Sequence, residues 1–280
     1  MPDDTPLTGR TAIVTGAGSG MGRVMSRALA AAGAQVAAVD IDARRLDRLG
    51  EEPVFGGRLA KLTTDVSQAA ACRDAVQAVA DLGGPDILIN CAGISMFAAG
   101  LPTDSRVKFY EARPEGWQRI LAINAIGSFL MARFAAPLMI ARKWGRIVNV
   151  TTSFDTMMAG GLSAYGASKA ALEATSASWA KDLAGTGVSV NILVPGGPTE
   201  TDGFFPPGRP RPPILLNAEI MGPPIVWLAS PASDGISGSR FIARDWDPRL
   251  PPNEAAARVR SPIGWPALAT GATAARGHSM

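Results

Sequence analysis

A closely spaced glycine run, Thr15-Gly16-Ala17-Gly18-Ser19-Gly20-Met21-Gly22, lies between a strand-like apolar segment and a helix-like one. That placement leaves few folds open. Residues 11–15 read as a buried strand and residues 20–32 as a helix. Glycine at 16, 20 and 22 permits a tight turn, close backbone approach to a ligand, and close packing of helix on strand. The N-terminus of the following helix offers unpaired N–H groups and positive dipole, the usual cradle for a pyrophosphate.

The rest of the chain repeats the strand–helix alternation. Further strands are expected over 35–40, 58–64, 87–90, 146–151, 188–194 and 240–243, and helices from about 43, over 68–82, within 114–139 and from about 164. This pattern predicts an α/β fold: one Rossmann-type doubly wound domain, with a mainly parallel seven-stranded sheet and helices on both faces. The domain is expected to span 1–247, with a proline-rich substrate loop over about 201–217. The Pro/Ala/Gly-rich stretch 248–280 reads as an extended or disordered tail.

Composition narrows the chemistry. A net charge of +3 without a dense Lys/Arg run argues against nucleic acid. The two cysteines, Cys72 and Cys91, cannot form a disulfide framework, and residues 1–10 do not resemble a signal peptide. With no apolar run of the roughly 18 residues needed for a span, no membrane partner is expected and the cytoplasm is the expected location. The sole histidine, His278, lies close to the C-terminal end. A Ser-His-Asp triad or a His-ligated metal is therefore not expected, and no metal site is assigned. Proton transfer falls to Tyr, Lys, Asp or Glu. Tyr165 and Lys169 stand four residues apart on an expected helix, so they share a face, and an adjacent ammonium favours phenolate over phenol.

Asp40 ends the second strand about twenty residues beyond the glycine loop, where a carboxylate accepts hydrogen bonds from an adenosine ribose and repels a 2′-phosphate. Ile41 follows it, and Ser19 leaves the loop without a basic side chain. NAD is expected, with NADP disfavoured.

The glycine loop, Asn90-Cys91-Ala92-Gly93, Asn124 and Tyr165-x-x-x-Lys169 occur in order. Together they resemble the short-chain dehydrogenase/reductase family over roughly residues 7–245. The resemblance implies an NAD(H)-dependent oxidoreductase interconverting a secondary alcohol and a ketone, with a small hydroxy/keto substrate. It implies that Tyr165 exchanges a proton with the substrate oxygen. Lys169 lowers the tyrosine pKa and holds the nicotinamide ribose, and Asn124 positions a relay water. It carries cofactor contacts to Gly16, Ser19, Gly20, Met21, Gly22, Asp40, Ile41, Asp65, Val66, Asn90, Ala92, Gly93, Pro195, Gly196, Pro198 and Thr199. A homotetramer or homodimer built on the helices bearing Asn124 and Tyr165 is also implied.

This chain departs from the family pattern in several places. The family's catalytic serine position falls on Thr152 by counting from either Asn149 or Tyr165, with Ser153 the alternative one residue on. Cys91 replaces an Asn. Pro198 stands where a backbone N–H is usual, and Glu200 stands where a Thr is usual. Residues 93–117 are longer than usual. A non-catalytic NAD(H)-binding protein on the same fold is the competing expectation.

Overall fold

A computed structural model describes residues 5–101, 108–201 and 214–265. The chain runs β1 (Thr11–Thr15), α1 (Gly20–Ala31), β2 (Gln35–Asp40), α2 (Ala43–Gly50), β3 (Leu59–Thr63), α3 (Ala69–Ala80) and β4 (Ile87–Asn90). A helical stretch follows, made of α4 (Pro114–Leu121), a π-helical segment Ala122–Gly127 and α5 (Ser128–Ala141). Then come β5 (Gly145–Val150), α6 (Phe154–Met157), α7 (Ser163–Asp182), β6 (Val188–Val194), α8 (Gly222–Ala229), β7 (Ser239–Ile242), α9 (Pro252–Val259) and β8 (Arg260–Pro262).

The sheet order is β3-β2-β1-β4-β5-β6-β7-β8, parallel except for β7 with β8. Strand order reverses between β1 and β4, which pair directly, with Ile13 opposite Leu88. Both sheet faces are covered, so β1 is buried throughout, with an apolar centre from Ala12 to Val14 between two threonines. Its alternate residues feed two cores. Ala12 and Val14 pack with Met25, Leu29, Ile225 and Leu228 on one face. Ile13 packs with Val76, Val79, Met131 and Ala135 on the other.

Two expectations are corrected. Among the described residues the sheet has eight strands rather than seven, and residues 252–262 form α9 and β8 rather than a tail. The cause is local packing. Pro252 sits at the first helical position, where its missing N–H costs nothing. Ala255, Ala256 and Val259 are buried in the same core as Trp227 and Phe241, and Trp227 Nε1 donates to Asn253 Oδ1 at 2.7 Å. Buried alanines carry little hydrophobic signal in a sequence. Residues 266–280, including His278, and the loop residues 202–213 lie outside the described residues.

The stretch Pro114–Ala141 is long and apolar enough by length and composition to cross a membrane, which the sequence expectation did not foresee. Here it packs against the sheet through buried Met131, Ala135 and Met139, while Ile126, Phe129 and Ile140 are exposed. Ending the chain after Leu250 removes Val259 and the Trp227–Asn253 bond. From about 1.5–3 kcal/mol for a buried valine and ~1 kcal/mol for the hydrogen bond, urea denaturation is expected to show a loss of about 2.5–4 kcal/mol.

Candidate active site

A solvent-open cleft of about 1050 Å³ lies beyond the carboxyl ends of β1, β2, β4 and β5. Its position follows from the topology, because the loops leaving β1 and β4 part at the strand-order reversal. The Thr15 hydroxyl joins the two loops, accepting from Cys91 N and Ala92 N at 3.0 Å each. Gly16 adopts φ +68°, and a Cβ there would lie 3.0 Å from Ala92 Cα. A Cβ on Gly22 would collide with the Gly16 carbonyl. The floor of the cleft is thus bare backbone at the start of α1, where Ser19 is the extended N-cap residue and makes no side-chain cap bond. These features fit a dinucleotide pyrophosphate.

Asp40 closes the adenosine end. It is 6% exposed, its Oδ2 accepts from Gly18 N and its Oδ1 from Asp42 N, both at 3.0 Å. Ser19, Met21, Ile41, Asp65, Val66, Ala92 and Gly93 line the cleft as expected. Arg45, Cys91, Ile94, Arg119, Ile123, Thr151 and Thr201 line it too, and the sequence reading had assigned none of them. Asn90 sits behind the wall, donating to Asn149 Oδ1 at 2.9 Å and to Ser128 O at 3.3 Å.

The segment after β6 is arranged differently from the expectation. Arg244 donates to the carbonyls of Pro195 (3.0 Å) and Gly196 (2.7 Å). Pro198 O accepts from Leu216 N at 2.8 Å, and Thr199 pairs with Leu216 as an isolated bridge. Thr201 lines the cleft, and its methyl fills the space over Gly20, where a Cβ would strike it. Its only trace in the sequence is a Thr one residue beyond the family position held by Glu200.

At the other end, α7 presents Tyr165 and Lys169 one turn apart. The two candidate hydroxyls have different surroundings: the Thr152 side chain favours the ionised Tyr165 phenol, whereas the Ser153 hydroxyl caps α6, accepting from Thr156 N at 3.3 Å. Burial pushes the Tyr165 phenol up to about 12, while the Thr152 bond pulls it down and Cys91 pushes it further up. Burial also lowers Lys169 to about 8, and its Nζ donates to Val150 O at 2.8 Å. On both groups desolvation outweighs the other influences. Asn124 lies in the π-helical segment, fully buried. Its Oδ1 accepts from Ile94 N at 2.8 Å, and its Nδ2 donates to Ile94 O and Ser168 Oγ at 3.1 Å each.

A dinucleotide cradle joined to a tyrosine–lysine pair defines a Rossmann-type oxidoreductase. Residues 10–204 match the family model described as short chain dehydrogenase, and the chain belongs to that family. It is 36% identical over 196 residues to a D-beta-hydroxybutyrate dehydrogenase of Cupriavidus necator, covering 68% of this chain and 71% of that one. It is 35% identical to a galactitol 2-dehydrogenase (L-tagatose-forming) of Cereibacter sphaeroides over 68% of this chain and 72% of that one. A 3-ketoacyl-(acyl-carrier-protein) reductase structure from Brucella melitensis, complexed with NADH, superposes with TM-score 0.70 at 28% identity, covering 82% and 94% of the two chains.

The depressed lysine makes a stability prediction. At pH 7 Lys169 is charged in both folded and unfolded chains, so its burial opposes folding. This penalty is full below about 8 and fades as pH climbs to the usual 10.5. Lys169→Met is therefore expected to stabilise the protein by about 3 kcal/mol at pH 7, with the gain nearly gone by pH 10.5 in urea titrations.

Proposed function

We propose that the protein is an NAD(H)-dependent oxidoreductase interconverting a secondary alcohol and a ketone. The observation that carries this reading is that one cleft is lined by Tyr165 and Lys169 of α7 at one end and by the glycine cradle of α1 at the other. The nicotinamide, when bound, supplies the hydride acceptor or donor. Gly16, Gly20 and Gly22 would hold its pyrophosphate, and Asp40 its adenosine ribose.

Tyr165 Oη moves the proton. At neutral pH its phenol is protonated, ready to donate to a carbonyl oxygen during reduction and become a phenolate; in the reverse direction it is the phenolate that takes the hydroxyl proton. The Thr152 hydroxyl anchors the same oxygen. Lys169 brings a buried ammonium to the nicotinamide end, and Asn124 holds the loop after β4 against α7. Met96, Leu101, Trp117 and Leu162 pack in the cluster that includes Tyr165, so the substrate side of the site is apolar.

NAD is the preferred cofactor in this reading, because a 2′-phosphate would meet the Asp40 carboxylate. Arg45, the basic side chain at that end, lies 3.8 Å from Asp42. An absorbance assay at 340 nm with a panel of hydroxy acids, polyols and apolar secondary alcohols tests the proposal. Tyr165→Phe is expected to lose about 10²- to 10⁴-fold in kcat while keeping NADH affinity, and NAD is expected to outperform NADP. Turnover by Tyr165→Phe equal to wild type would sink the reading.

We further propose a dimer or tetramer built on α5 and α7. Exposed Phe129 flanks an apolar groove lined by Ala132, Ala136, Trp179 and Leu183. Phe129→Asp should lower the mass measured by light scattering without lowering the melting temperature of the subunit fold.

A further inference from the structure

Behind Thr152 lies a buried ion pair that the proposed chemistry does not use. Glu173 is fully buried and Arg240 is 4% exposed. Arg240 Nη1 donates to Glu173 Oε2 at 2.6 Å and to the Thr151 hydroxyl at 3.2 Å. Its Nη2 donates to the Thr152 carbonyl at 2.7 Å. The Thr151 hydroxyl itself donates to Glu173 Oε2 at 2.9 Å. Glu173 Oε1 accepts from Gly264 N at 3.2 Å, just beyond β8. The Arg240 guanidinium stacks on Phe154 at 4.3 Å, and Phe154 packs on Trp265 at 5.5 Å.

A buried ion pair is a poor stabiliser, since desolvation offsets much of the attraction. Its position is what matters here. β5 ends at Val150, so the carbonyls just beyond it have left the ladder and need other partners. Lys169 takes the Val150 carbonyl and Arg240 takes the Thr152 carbonyl. The turn that carries the Thr152 hydroxyl is therefore gripped on both sides by cations. Glu173 stands one turn beyond Lys169 on α7, so one helix supplies Tyr165, Lys169 and the counter-ion of the second cation.

We propose that Arg240, held by Glu173, is a positioning residue that aims the Thr152 hydroxyl at Tyr165, and that the segment after β8 completes its setting. The proposal rests on the catalytic reading above. Neither Arg240 nor Glu173 lines the cleft, so their effect should appear in kcat and not in cofactor affinity.

The test is the double variant Glu173→Met/Arg240→Met, assayed with NAD and the best alcohol of the panel. Removing one charge alone strands the other in the interior, whereas replacing both with apolar side chains removes the desolvation cost. The double variant should melt close to wild type and bind NADH within twofold, yet lose about ten- to a hundredfold in kcat, the scale of a ~1 Å misplacement. Recovery of kcat along with the melting temperature would overturn the proposal.

Should the double variant fail to fold, Arg240→Lys serves in its place. Lysine keeps the charge beside Glu173 but lacks the second arm that reaches Thr152, so full kcat in that variant also overturns the proposal. Tyr165→Phe separates the two readings. If it is active, the catalytic reading itself is wrong. If it is inactive while the clamp variants work normally, only the clamp is wrong. Crystal structures of wild type and double variant give a readout that needs no turnover: Thr152 should leave Tyr165 in the variant, and an unmoved hydroxyl refutes the clamp.

Discussion

The direct pairing of β1 with β4 is the constraint on which the site depends. Some seventy residues separate these strands in the sequence, yet they are sheet neighbours in parallel register. Their following loops diverge, and a single hydroxyl, that of Thr15, fastens the second loop beside the first. The cleft is the gap this arrangement leaves. The glycines do not create it; they keep it empty of side chains. Tyr165 and Lys169 reach it on α7, whose inner face is polar and buried where most helices would present leucine.

That polarity is costly and explains the pattern of interactions around the site. Lys169 and Glu173 share a buried helix face, and each is given a specific oxygen or cation. Ser168 and Ser176 are likewise bonded, to Asn124 and Asn149. Each partner lies on another element, so the chemistry of α7 and the cohesion of β5, β7 and the helix Pro114–Ala141 rest on the same bonds. A change to one polar member should be felt in both.

Much of the frame was legible in the sequence because it rests on local signals. Strands buried on both faces show as short apolar runs, and the glycine turn and Tyr165/Lys169 spacing are contiguous. Three features were not. α9 and β8 hide behind prolines and alanines whose packing depends on Trp227 and Phe241 being nearby. Thr201 reaches the cleft through the path of its loop, which composition does not encode. The Glu173–Arg240 pair joins residues 67 positions apart, and each of them alone reads as an ordinary surface charge. That the Ser153 hydroxyl serves as the cap of α6 was likewise not visible in the sequence.

The short strand β8 bears on solution behaviour as well as on the site. Open sheet margins invite strand addition by another molecule. By folding back antiparallel on β7, three residues ending in Pro262 become the outermost strand on that side, and proline cannot offer a backbone donor there. The opposite margin, β3, carries Lys61 at its centre, paired with Asp47 at 2.6 Å. Both borders of this sheet are thereby poor templates for a foreign strand, and the segment that looked like a dispensable tail is one of the two guards against aggregation.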